Sequence, residues 1–280
     1  MASQRQPKGL IGALVFVCAL LGASLVRAAE LPSATPAPAS IWSSIGRFFG
    51  MARTSHGAGI EWVKIPGGSF TMGSRRSADE SPAHEVKVPS FEMAKTLVTN
   101  KQYAACVAAG ACTALDEEPG MTGDEQPAIG VTWEQARAFS HWAGGRLPTE
   151  SEWEYAARSG GKDRKYPWGD DAASCDNAVL TDGAQQGCGR AATWPVCSKA
   201  KGNTEQGLCD MAGNASQWVQ DAYKGTYEGA PTDGGAAASA ADAGHVFRGG
   251  AWCSTPEALT TTVRASRADT YRGLGFRPVR

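Results

Sequence analysis

The stretch WEQARAFSHWAGGRLPTESEWEYAAR, Trp133 to Arg158, holds two helices and the turn between them. Thr132 stands immediately before the first apolar residue, as an N-cap hydroxyl should, and Gly144-Gly145 ends the run. Trp133, Ala136 and Phe139 then fall on one face, with Trp142 near it, so their default role is core. Thr149-Glu150-Ser151-Glu152 has the spacing of a capping box and predicts a second helix through Trp153, Ala156 and Ala157. Two capped helices with a short turn can be mistaken for a DNA-reading helix pair. The charge balance described below argues against that.

Working outward, Thr99 predicts a further helix over Asn100 to Val107. Upstream the pattern changes to short strands separated by glycine and proline: Ile60–Ile65, Ser69–Ser74, and His84–Val88 ended by Pro89. Downstream of Gly160 the chain reads as loop-rich to Arg280, with no internal repeat. There are 34 glycines in 280 residues and 42 % hydrophobic residues, which suits a full core wrapped in many turns. With 27 Lys and Arg against 28 Asp and Glu, there is no basic footprint for nucleic acid.

Residues 1–28 read as a signal peptide: Arg5 and Lys8 precede an apolar run from Leu10 to Val26, and Val26-Arg27-Ala28 fits cleavage. The expected location is the periplasm or the exterior, with an uncleaved N-terminal membrane anchor as the alternative. Removing Arg5, Lys8 and Arg27 leaves 24 cations facing 28 acids, a net −4. Residues 29–58 comprise a linker with Pro32, Pro36 and Pro38, then Ile41-Trp42-Ser-Ser-Ile45-Gly-Arg-Phe48-Phe49, apolar on one helical face. That segment packs on the domain or docks on a membrane or partner. The folded body is expected over 59–280.

Cys18 leaves with the signal peptide, and the seven remaining cysteines should be mostly paired in an oxidising compartment. Neighbour pairing suggests Cys106–Cys112, Cys175–Cys188 and Cys197–Cys209, with Cys253 left over. No cysteine or histidine spacing suits zinc.

The Trp133–Arg158 stretch resembles the signature of the formylglycine-generating-enzyme, or sulfatase-modifying-factor, family. Collinear pieces agree: Ile65-Pro-Gly-Gly-Ser-Phe-Thr-Met-Gly-Ser74, Val98-Thr-Asn100, Tyr166-Pro-Trp-Gly-Asp170, Gly207-Leu-Cys-Asp-Met-Ala-Gly-Asn214, Arg248-Gly-Gly-Ala-Trp252 and Leu274-Gly-Phe-Arg277. The resemblance covers about residues 60–280 and implies a single α+β domain of the C-type-lectin-like kind. It also implies oxidative chemistry at a copper held by two cysteines after a Gly-Gly-Ser segment. Here that segment is Gly249-Gly250-Ala251, and Cys253 is the last cysteine in the chain. One thiolate does not make a two-coordinate Cu(I) site, so copper is not expected. Iron is left open: of His56, His84, His141 and His245, none shows ligand spacing. His84 and Glu85 would face opposite ways on a strand.

The resemblance places a calcium site on the Asp210 side chain, the Gly213 and Ala215 carbonyls and the Gln217 side chain. The family's glutamate and the tryptophan before it are here Gln217 and Ser216. A second calcium site would use Asn177 and the Ala178 carbonyl, with Asp182 a weaker member. Calcium is thus a structural candidate. Cys253 and His245, near the family's active segment, are the catalytic candidates. Two functions follow. The first is an exported enzyme that modifies a peptide or metabolite oxidatively or by related chemistry, without the two-cysteine copper site. The second is a non-catalytic module that binds a protein or glycan. True formylglycine generation is disfavoured by the missing cysteine.

Overall fold

The computed structural model describes residues 58–238 and 244–280. The expected signal peptide, the 41–49 segment and His56 lie outside them. Two hairpin-like pairs open the fold. β1 (Trp62–Ile65) lies antiparallel to β4 (Phe91–Ala94), and β2 (Gly68–Met72) lies antiparallel to β3 (His84–Val88). In β2 and β3 the alternation legible in the sequence is realised: Phe70, Met72, Val86 and Val88 point inward and Thr71, Glu85 and Lys87 outward.

Three helices follow, α1 (Asn100–Ala108), α2 (Trp133–Trp142) and α3 (Glu150–Ala157). All three begin with a reciprocal capping box: Thr99 with Gln102, Thr132 with Gln135, Thr149 with Glu152. On α2 the Trp133 indole donates to the Val219 carbonyl, and Trp218 returns the bond to the Val131 carbonyl. The helix is thereby fixed in place beside β5 (Ser216–Ala222).

The stretch read as loop-rich contains a four-stranded sheet in the order β7-β6-β5-β8, with β6 at His245–Arg248, β7 at Arg264–Arg267 and β8 at Leu274–Gly275. Only β5–β8 is parallel. Periodicity misses this sheet because six of the seven β5 residues are buried, so polarity does not alternate, and β8 is two residues long. Residues 279 and 280 join the early strand to the α2–α3 turn: Val279 bridges both Met93 and Arg146, and Arg280 exchanges backbone bonds with Glu92. Gly145 permits this approach, since a Cβ there would stand 2.3 Å from the Val279 carbonyl oxygen.

The core has two main parts. One joins Ile65, Phe70, Met93, Trp153 and Val219; the other joins Tyr103, Phe139, Leu147, Trp218 and Phe276. Three disulfides form as neighbour pairing predicts: Cys106–Cys112, Cys175–Cys188 and Cys197–Cys209. Cys253 is itself disulfide-bonded, so the leftover thiol expected there is not a thiol in this structure.

Candidate functional site

The site is rooted in a buried ion network. All eight residues of α3 are buried, including Glu150 and Glu154, so their charges must be answered locally. Arg264 meets both Glu150 carboxylate oxygens, at 2.7 and 2.6 Å, and Arg248 pairs with Glu154. Arg158 pairs with Glu154 from the other side at 2.9 Å. Arg248 also donates to the carbonyls of Thr261, Thr262 and Val263. One guanidinium therefore holds the end of β6 against the segment leading into β7. Asp221 on β5 accepts from the backbone of Glu150 and of Ala237, both at 2.7 Å. Burial, with the Glu150 charge adding to it, raises its pKa to about 7.

Beyond Arg248 the chain reverses at Gly249, where φ is 89° and a Cβ would meet the Met211 carbonyl oxygen at 2.8 Å. The loop that follows is tied on every side. The Ala251 amide donates to the Ser254 hydroxyl at 3.0 Å, and the Trp252 amide donates to the Asn214 carbonyl at 3.0 Å. The Gly187 amide donates to the Trp252 carbonyl at 2.8 Å. Asn214, with a positive φ, uses both ends of its amide on the Trp194 backbone, at 2.9 and 3.0 Å. Trp252 is buried, while Trp194 and Cys253 are half-buried beside it. Arg190 and Lys199 lie 3.8 and 4.1 Å from the centre of the Trp194 ring, and Arg272 lies 5.2 Å from that of Trp252. Burial lowers the Lys199 pKa; Asp176 opposes this and Arg190 adds to it. Trp252 is thus part of the core of this loop, and the half-buried Trp194 ring is flanked by two cations.

His245 is elsewhere. It opens β6, stacked on Trp133 at 3.8 Å with the rings 6° apart, and burial lowers its pKa. Cys253 lies past the other end of β6 and packs with the cluster of Leu97, Met121, Ala251 and Trp252. The structure does not bring these two catalytic candidates together, and the Cys253 sulfur is already in a disulfide. Sequence proximity misleads because β6 carries the chain from one to the other. His84 is half-buried against Tyr227, and His141 is exposed on α2. Among the described residues no group of three or more His, Cys, Asp or Glu side chains is placed to hold a metal ion.

The calcium expectation at 210–217 does not fit the geometry. The Gln217 oxygen accepts from Trp153 Nε1 at 2.9 Å and Arg277 Nε at 2.7 Å, and its nitrogen donates to the Asp210 carbonyl at 3.0 Å. The side chain has no oxygen left for an ion, and a second cation beside buried Arg277 is repelled. Arg277 further bonds the carbonyls of Ala94, Lys95, Cys209 and Asp210. Asp210 itself accepts from the Cys197 amide, and burial raises its pKa. Gly213 and Ala215 are buried in the same turn. At the second expected site the Asn177 oxygen caps a turn, accepting from Ser174 N at 2.9 Å. Ala178 is buried next to it, and Asp182 forms a bridge with Gln185. The ion network and the Trp194–Asn214 clasp escape sequence reading. The one available signal was Glu150, Glu152 and Glu154, three acids within five residues of a helix that also carries Trp153 and Tyr155.

Comparison with known proteins agrees with this architecture. The chain matches the sulfatase-modifying factor enzyme 1-like domain over residues 50–280. It is 31 % identical to the formylglycine-generating enzyme of Streptomyces coelicolor over 59 % of this chain and 70 % of that protein. It is 33 % identical to the serine/threonine-protein kinase pkn1 of Chlamydia caviae over 71 % of this chain, but spans 34 % of that protein. The solved structure of PvdO from Pseudomonas aeruginosa superposes with a TM-score of 0.69 at 29 % identity, covering 84 % of this chain and 99 % of that one. The fold is thus the single C-type-lectin-like α+β domain expected from the motifs, and the chain belongs to the sulfatase-modifying factor enzyme 1-like family.

Proposed function

We propose that the protein works outside the cytoplasm, where it modifies a peptide or small metabolite oxidatively or by related chemistry, without a paired-thiolate copper centre. The observation that carries this reading is the loop after β6. It keeps the family's place in the chain and is clamped by residues 187, 194 and 214, yet it offers Ala251 and a single cysteine where two thiolates would be needed. Three disulfides favour an oxidising compartment, and among the described residues no helix is long and apolar enough to cross a membrane. The substrate would lie beside Trp194, the half-buried ring between Arg190 and Lys199.

A second reading, a binding module for a protein or glycan, is favoured by the separation of His245 from Cys253. Mass spectrometry of exported peptides and metabolites separates the two. The modification reading expects an unmodified species to accumulate in a deletion strain and to disappear on complementation with wild type but not with Trp194→Ala. An unchanged profile would sink it and leave the binding module. Separately, no aldehyde should form when the purified protein meets Cu(I) and a cysteine peptide of the sulfatase kind.

A further inference from the structure

Just past the end of α3, at Arg158, the structure has a cleft of about 560 Å³ lined by neither Trp194 nor Trp252. Its wall includes Arg75, Arg76, Arg158, Arg164 and Lys165, facing the carboxylates of Asp163 and Asp170. Two of the five cations are already answered. Arg158 pairs with Glu154, and Arg164 shares Glu205 with Lys162. Arg75, Arg76 and Lys165 have no ion-pair partner among the described residues, and all three are exposed. Asp170 is engaged by the Lys165 backbone amide at 2.9 Å, which draws it toward the loop.

The buried part of the wall is held within the fold. Arg158 is 5 % exposed and Thr262 is 6 % exposed, yet Arg158 Nε and the Thr262 hydroxyl have no hydrogen-bond partner. Buried donors without acceptors are rare and costly. Both atoms are closed off from the cleft, so the donors it presents to a ligand are the exposed guanidiniums of Arg75 and Arg76 and the Lys165 ammonium. The space is of the size that holds a small organic molecule.

We propose that this cleft binds a phosphate- or sulfate-bearing small molecule, with Arg75 and Arg76 closing on the oxyanion from solvent and Lys165 adding charge beside it. Guanidinium groups suit such oxygens because they donate in pairs. The proposal is independent of the chemistry assigned to the loop after β6, and it survives if that assignment fails.

The test is titration calorimetry on the full exported protein at constant ionic strength, with inorganic phosphate and glycerol phosphate as probes. Both should saturate; a tighter ester identifies an organic ligand, and tighter inorganic phosphate identifies the free ion. The double variant Arg75→Ala/Arg76→Ala removes two exposed, unpaired side chains and should weaken binding by about tenfold or more. Lys101→Ala, exposed on α1, should bind as wild type. Absence of saturable binding by either probe, or equal binding by the double variant, overturns the proposal.

Discussion

Arg277 shows what a single buried side chain can organise. It is fully buried and joins Gln217 to four backbone carbonyls from two distant segments. Burial lowers its pKa to about 10, with Asp210 opposing, so it stays charged at neutral pH. Arg277→Met strands those carbonyls and the Asp210 charge, and should cost about 3–5 kcal/mol in urea unfolding. The same contacts predict that calcium leaves the wild-type Tm unchanged; a calcium-dependent rise would show an ion competing for the Gln217 oxygen. Asp221 makes a pH prediction. Its folded pKa, about 7, lies above the unfolded value near 3.9, so the folded state holds the extra proton between them. Its contribution to stability therefore falls as pH rises from about 4 to about 7. Urea midpoints at pH 5 and pH 8 should differ less, in that direction, for Asp221→Asn than for wild type.

At the level of elements, helices were legible and most strands after Gly160 were not, for a physical reason. A helix start is a local affair, written within four residues as Thr-x-x-Gln or Thr-x-x-Glu, and all three are realised. β5, by contrast, is defined by partners remote in sequence: β6 beside it, α2 through the Trp133 and Trp218 indoles, and α3 through Trp153. Nothing within its own seven residues states that both faces are covered. α3 depends most on its cap, because the Thr149 hydroxyl accepts from Glu152 N and also donates to the Gly234 carbonyl at 3.0 Å. Thr149→Ala should cost about 1–2 kcal/mol, at the upper end of cap losses, and Thr132→Ala less. Chemical denaturation of the two variants side by side checks the order.

For the whole molecule, the family was legible from collinear motifs and the three disulfides from neighbour spacing. The candidate pair His245 and Cys253 was suggested by nearness in sequence, but the two are separated by the length of β6 and a reversal. The basic cleft was equally hidden, as its wall draws on β2 and the loop after it, the residues following α3, and the segment before β7. Disulfides contribute through the loops they close. Cys175–Cys188 and Cys197–Cys209, with separations of 13 and 12, should each contribute about 3 kcal/mol, and Cys106–Cys112, with a separation of 6, somewhat less. Paired Cys→Ser variants followed by thermal unfolding should rank in that order.

Val279 lies between Met93 and Arg146, so an early strand and the α2–α3 turn meet through a residue made only after both of them. Biogenesis inherits that timing. A nascent polypeptide halted before this valine still has an open seam along Phe91–Ala94, which invites chaperones and proteases. Deleting residues 278–280 should cripple maturation more than its size suggests.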